Sequence, residues 1–394
     1  MRRLNRVLLF FAALTLFTLL DTSPAQADEP VIFTDILSSP TGITTDAAGN
    51  VYVASLVGFQ SRLTKFSPDG IVIWDITYTG GILSQPGKAL VTDPNTGLIW
   101  NLWGDGKIYL VDPLTGNQTF LLDLRTLSLD TSEMQDIQIG PASQFAGQII
   151  PNQTYYVDLA LQQRNDGRLD VFVTANSSPS KLPYIFRVRL DSLGVVESAK
   201  VLLISIAGRT EFDNQMGGIT TNGDLVFTTI YRGPPPNVPP ELAQSYQIPI
   251  SFSPDFPEDS SRFAIQLDGV GLNTRGMATD LNGNFFMTTG TIGNTLCGFT
   301  GREAMVVLPA NLNVDNINFA PRFCGRVTAV PPGTVTINTR KVAVSPAGDF
   351  AYVTESPIAA LQNRNYVWRF SFPNGVTFST SAFPNQTYLP LLLK

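Results

Sequence analysis

Residues 40–55 set two short strand-like runs of apolar and polar positions on either side of a polar turn. Residues 42–45 are small or β-branched, Asp46-Ala-Ala-Gly49 is turn chemistry, and Val51-Tyr-Val-Ala-Ser55 alternates with period two. Asp bonds the backbone of its own turn and Gly takes a positive φ at no steric cost, so the stretch predicts a tight β-hairpin. The same pattern returns in register at Gly276-Met-Ala-Thr-Asp280-Leu-Asn-Gly283, continued by Asn284-Phe-Phe-Met-Thr-Thr289. Looser copies lie at 89–100, 156–173, 218–227 and 341–353. Their turn glycines are Gly49, Gly97, Gly167, Gly223, Gly283 and Gly348. The mean spacing is about 60 residues, longer than the roughly 40–50 of compact propeller repeats, so the surplus belongs to loops.

A second strand pair with its own turn follows the inner hairpin in several units. The clearest is 62–66 and 71–74 around Ser67-Pro-Asp-Gly70; others are 107–111 with 118–122, 185–190 with 194–197, and 367–370 with 375–378. Four short strands per unit, repeated six times, predict an all-β fold: a six-bladed β-propeller of four-stranded blades. A parallel β-helix has shorter rungs without paired hairpins. The composition agrees, with 15% charged residues, 32 Gly and 28 Pro marking short strands and many turns. Repetition argues for one closed body over 28–382, although the length would allow two domains.

The ends carry different signals. Residues 1–27 read as a signal peptide: Arg2, Arg3 and Arg6, an apolar stretch over 7–20, and Ala25-Gln-Ala27 as a small-residue cleavage site. The apolar stretch is short of the roughly 20 residues a spanning helix needs. Cleavage leaves 23 basic against 31 acidic residues, and no basic tract, so nucleic acid is excluded as an expected partner. No later stretch is long and apolar enough to span a membrane, and a secreted or envelope-located monomer is expected. Cys297 and Cys324 are the only cysteines. An oxidising export route predicts that they form a disulfide, stabilising by roughly 3 kcal/mol in the chain-entropy model. Residues 383–394 form an apolar C-terminal tail, either a terminal strand or a segment read by an export or attachment system.

The residues Pro40-Thr-Gly-Ile, Asp46-Ala-Ala-Gly-Asn-Val-Tyr-Val-Ala54 and Leu63-Thr-Lys-Phe-Ser-Pro-Asp-Gly70 resemble an NHL-type repeat. They also resemble the wider six-bladed group of gluconolactonase and senescence-marker-protein (SMP-30) relatives. The resemblance covers most of 31–380. It implies that Val31-Ile-Phe-Thr-Asp-Ile36 packs on the last blade and closes the ring, which would remove strand edges that template aggregation. It also implies a divalent metal, Ca²⁺ or Mg²⁺, held by Glu, Asn and Asp oxygens at the channel mouth. No metal motif of that group maps residue by residue onto this chain.

Three segments interrupt the repeat: 125–153, the Pro-rich 233–261, and 291–301. Long loops on a rigid scaffold are where binding residues concentrate.

The chain has no histidine. Nucleophile systems that need an imidazole base are therefore excluded, as are His-bearing zinc sites. Carboxylate and amide chemistry remains. Inner-strand starts and the ends of second strands place Lys88, Trp103, Asn176, Asn214, Gln215, Arg275, Arg340 and Glu355 at the channel mouth. Asn176, Asn214 and Glu355 are the metal-ligand set if a cation binds; no other cofactor is implied. Lys88, Arg275 and Arg340 would hold a carboxylate or phosphate, or else pair with carboxylates of neighbouring blades. Trp100 and Trp103 fall at strand spacing, which suits blade packing better than a stacking platform. No catalytic residue is assigned. The sequence supports a secreted binding module acting on a protein, glycan or small molecule through its central-channel face, with a metal-dependent lactonase or ester hydrolase as the alternative.

Overall fold

The computed structural model describes residues 29–57, 60–79, 87–129, 154–177, 183–203, 214–232, 246–252, 276–288, 303–310, 323–327, 339–355 and 365–378. Outside them lie segment 1–27, which the sequence reads as a signal peptide, most of the 125–153 insert, the 291–301 segment with Cys297, Arg275, and the tail.

After β1 (Val31–Thr34), blade 1 takes β2 (Pro40–Thr45), β3 (Val51–Val57), β4 (Gln60–Phe66) and β5 (Val72–Tyr78). Blade 2 takes β6 (Ala89–Thr92), β7 (Ile99–Leu102), β8 (Lys107–Val111) and β9 (Gln118–Asp123). Blade 3 takes β10 (Thr154–Gln163), β11 (Leu169–Ser177), β12 (Pro183–Leu190) and β13 (Val196–Leu203). The fourth sheet takes β14 (Asn214–Thr221), β15 (Val226–Arg232) and β16 (Tyr246–Phe252). The fifth takes β17 (Met277–Thr279), β18 (Phe285–Thr288), β19 (Glu303–Leu308) and β20 (Phe323–Arg326), and the last β21 (Thr339–Val344), β22 (Phe350–Glu355) and β23 (Val367–Ser371). Each sheet is an antiparallel meander in chain order.

The fold is a β-propeller. The first described strand, β1, pairs antiparallel with the last, β23, in a sheet of order β1-β23-β22-β21. The inner strands β2, β6, β10, β14, β17 and β21 neighbour one another in that order, and β21 returns to β2. One expectation is corrected. The four-stranded blades number five, not six; the fourth sheet has three strands among the described residues. Its third strand, β16, lies within 233–261, which reads in sequence as an insert too Pro-rich for a central strand. Pro249 stands opposite Thr229 on that sheet's last described strand, where a residue without an N–H is tolerated.

The hairpins form for the reasons read from sequence. All six turn glycines take φ between 71° and 96°. Asp46 Oδ1 accepts the Ala48 and Asn50 N–H groups at 2.9 Å each. Asp280 does the same for Asn282 and Asn284.

The core sits between blades. Trp100, Leu102 and Ile108 of blade 2 meet Tyr156, Val171 and Phe186 of blade 3. Val51 and Phe66 of blade 1 meet Tyr352 and Val367 of the last sheet. Burying each such side chain contributes roughly 1.5–3 kcal/mol. Polar contacts fix the angle of blade on blade. The Pro113 carbonyl, in the β8–β9 turn, accepts from Lys65 Nζ at 2.9 Å and Trp74 Nε1 at 3.2 Å in blade 1. The Tyr78 hydroxyl donates to the Gly116 carbonyl at 2.7 Å.

Candidate functional site

Three consecutive residues from each of the six inner strands surround an axial cavity of about 340 Å³. It lies toward the inner-hairpin turns, and Pro94, Leu281 and Pro346 stand at its rim. Aligned on their hairpins, the strands contribute layers. The first layer is Gly42, Ala89, Asp158, Gly218, Gly276 and Lys341; the next is Ile43, Leu90, Leu159, Ile219, Met277 and Val342. Only the second layer and those above it line the cavity.

The first layer is the waist of the channel. A Cβ on Gly276 would lie 2.4 Å from Lys341 Cα, and one on Gly42 would lie 2.7 Å from the Gly87 carbonyl oxygen. Small residues are needed because neighbouring backbones meet there. Blade 3 and the last sheet depart from this rule. From β21, Lys341 reaches β10 on the opposite side of the ring. Its Nζ stands 2.8 Å from Asp158 Oδ1 and donates to the Val157 carbonyl at 3.0 Å. Asp158 Oδ2 accepts the Ile219 N–H at 3.2 Å. The exposures are 5% for Asp158 and 8% for Lys341, so the bridge is a bar across the channel axis, out of solvent. Burial raises the Asp158 carboxyl above the usual carboxylate range, and the Lys341 charge works against that rise.

Above the bar, the polar groups of the wall already have partners. Thr44 Oγ1 lies 3.1 Å from Thr92 Oγ1, and Thr45 Oγ1 donates to the Val344 carbonyl at 2.6 Å. Thr279 Oγ1 donates to the Thr221 carbonyl at 2.9 Å, and Thr221 Oγ1 to Gln162 Oε1 at 3.0 Å. Asp280 caps its own turn, and Ser345 Oγ lies 2.6 Å from Asp349 Oδ1. The hydroxyls stitch one blade to the next, and the carboxylates hold turns.

The described mouth residues read from sequence lie toward the other end of the inner strands, and none of them lines this cavity. Lys88 is half-buried before β6, where its N–H donates to the Leu102 carbonyl at 2.9 Å. Trp103 is buried, its ring 4.5 Å from that of Tyr109, and its Nε1 has no hydrogen-bond partner. Trp100 is buried in the seam between blades 2 and 3. Asn176 is half-buried near the end of β11, which lies against β14, the strand opened by Asn214 and Gln215. Arg340 is half-buried in β21. Glu355 stands opposite Thr339, so it and Arg340 share one end of the last sheet. Arg275 lies outside the described residues.

Glu355 is buried and accepts the Trp368 indole N–H at 2.7 Å. That carboxylate oxygen is committed within its own blade, and no chemical step is derived through a cation. Among the described residues, no three His, Cys, Asp or Glu side chains gather as a metal site would require. Cys324 is buried in β20. No sequence expectation covered Asp158 and Lys341. The available signal was a charge at a repeat position where the other four units carry Gly or Ala.

The chain matches no family model and no curated protein. Solved structures do share its fold. The α-L-arabinofuranosidase Arb93A of Fusarium graminearum, solved with an iminosugar inhibitor, is 14% identical with a TM-score of 0.51, over 88% of this chain and 98% of that one. A protein provisionally described as a gluconolactonase is 12% identical with a TM-score of 0.45, over 89% of this chain and 94% of that one. The WD40 repeats of RRP9 are 8% identical with a TM-score of 0.48, over 89% and 99%. At these identities the likeness is one of fold.

Proposed function

We propose that the protein is a secreted binding module of NHL-like propeller type that holds its ligand in the central channel, at the hairpin-turn end. One observation carries this reading. A cavity of about 340 Å³ sits on the axis, and the hydroxyls and carboxylates named around it already hydrogen-bond other parts of the protein. Such a wall offers shape and contact, and those groups are not poised for proton transfer or nucleophilic attack. Secretion rests on the 1–27 segment, with its Arg2, Arg3 and Arg6 start and Ala25-Gln-Ala27 cleavage site. The Cys297–Cys324 disulfide belongs to the same proposal.

The test is a thermal-shift screen of the mature protein against neutral mono- and disaccharides and a lactone panel, each with and without Ca²⁺. A ligand that binds only the folded state raises apparent stability. The expected result is a stabilising ligand whose effect disappears in Ala278→Phe, which fills the cavity, and weakens in Leu281→Trp at its rim. Calcium-dependent lactone turnover, or binding untouched by both variants, would overturn the reading.

A further inference from the structure

Lys341 and Asp158 do more than bring opposite blades together. Four of the six first-layer positions hold Gly or Ala, so neighbouring strands meet around the waist without them. A buried ion pair is weak evidence of stabilisation, because two charges lose their hydration, and an apolar pair of similar volume often serves as well. The bar does have a geometric consequence. It crosses the axis directly beneath the cavity and makes that cavity a cup open toward the hairpin turns. The floor is charged but self-neutralised. Asp158 accepts from Lys341 and the Ile219 N–H, and Lys341 also reaches the Val157 carbonyl. Just above the floor, Ile43, Leu90, Leu159, Met277 and Val342 are aliphatic.

We infer that the cup takes an uncharged, partly aliphatic ligand, and that the Lys341–Asp158 bar sets this selectivity because its two charges satisfy each other. The inference rests on the channel-binding reading above and adds the ligand class. A charged headgroup driven down to the aliphatic layer above the floor would lose hydration and find no countercharge there, because the lining's carboxylate, Asp280, lies at the hairpin-turn end and holds its own turn. Removing one partner of the bar leaves the other as a countercharge for a ligand of opposite sign.

The experiment is calorimetric titration of the mature protein with 1-octanol, octanoate and octylammonium, three ligands of equal chain length, below their aggregation limits. Wild type is expected to bind octanol at least about tenfold tighter than either ion, as desolvation of an unpaired charge requires. Lys341→Met is expected to reverse the order in favour of octylammonium, and Asp158→Asn in favour of octanoate. The swap of Asp158→Lys with Lys341→Asp rebuilds the pair and is expected to restore the preference for octanol, and it remains readable if a single variant fails to fold. Equal binding of the ions by wild type, or an order that the single variants leave unchanged, would overturn the inference. A saccharide bound in an Ala278→Phe-sensitive way without any octanol binding defeats this inference alone. The absence of any ligand sensitive to Ala278→Phe defeats the binding reading as well.

Discussion

Blades 1 to 3 and the three sheets that follow them carry similar runs at the axis, small or aliphatic residues exchanging for one another, and they differ in charge at one position. Gly42-Ile-Thr-Thr45 and Gly218-Ile-Thr-Thr221 are identical. Thr44 bonds Thr92 in the next blade, and Thr220 lies 3.5 Å from Thr279 in its own next blade. The third strand of each half is aliphatic where the others carry Thr: Leu159-Ala-Leu161 against Val342-Ala-Val344. Only the residue before each of these runs differs in kind, Asp158 in one half and Lys341 in the other. Two like charges there would repel across a narrow waist, and two glycines would leave the axis open. The halves share a wall, and the one difference in charge between them closes its floor.

Lys341→Met should break this comparison most severely. It strands the Asp158 carboxylate in the interior, at a cost of about 3–5 kcal/mol, measurable by chemical denaturation at neutral pH. The loss should depend on pH. Burial already raises the Asp158 carboxyl in the folded protein above its ordinary value of 3.8, with Lys341 opposing the rise. Without Lys341 the folded-state value rises further, so across that window the folded chain holds the proton more tightly than the unfolded one. Stability of the variant should therefore fall as pH climbs from about the ordinary carboxylate value through the folded-state value, then level off. A loss that shrinks with rising pH would contradict the buried bar. Replacing both partners, with Asp158→Leu and Lys341→Met, should be near neutral or stabilising.

Gly276→Ala tests the small-residue rule of the waist. Its new Cβ meets the Lys341 backbone at 2.4 Å, and the overpacking should cost about 1–3 kcal/mol, read as a lowered midpoint in denaturant. Thr279→Val removes the hydroxyl that bonds the Thr221 carbonyl at 2.9 Å; about 0.5–1.5 kcal/mol should be lost, with the cavity's shape kept. Leu281→Ser should do least. Leu281 is 85% exposed at the rim, so stability should move by less than about 0.5 kcal/mol.

Much of the architecture was legible in the chain because it is local. Asp46 and Gly49 fix one turn by chemistry within four residues, and Asp280 and Gly283 fix another the same way. The alternation in Val51-Tyr-Val-Ala-Ser55 follows from one face being buried. β1 on β23 was also legible, since an NHL-like repeat starts with the outer strand of the blade before it. β16 was not: Pro249 lowers strand propensity, and only its place at the described edge of the sheet makes it acceptable. The cavity's location was not legible either. Hairpin spacing says that inner strands surround an axis, but it does not say at which end the channel stays open. Lys88, Asn176 and Glu355 therefore lie at strand ends away from the cavity.

The sequence by itself determined the hairpins, their turn glycines, the repeat and the closure of the ring, because each depends on residues close in the chain or on a pattern that recurs along it. Only the tertiary structure decided that residues 158 and 341, which lie 183 positions apart, meet across the axis and floor a cavity. The reason is physical. Their attraction exists only once six strands have curved into a circle that places the third and sixth opposite each other at the waist, and no local preference of either residue encodes that distance.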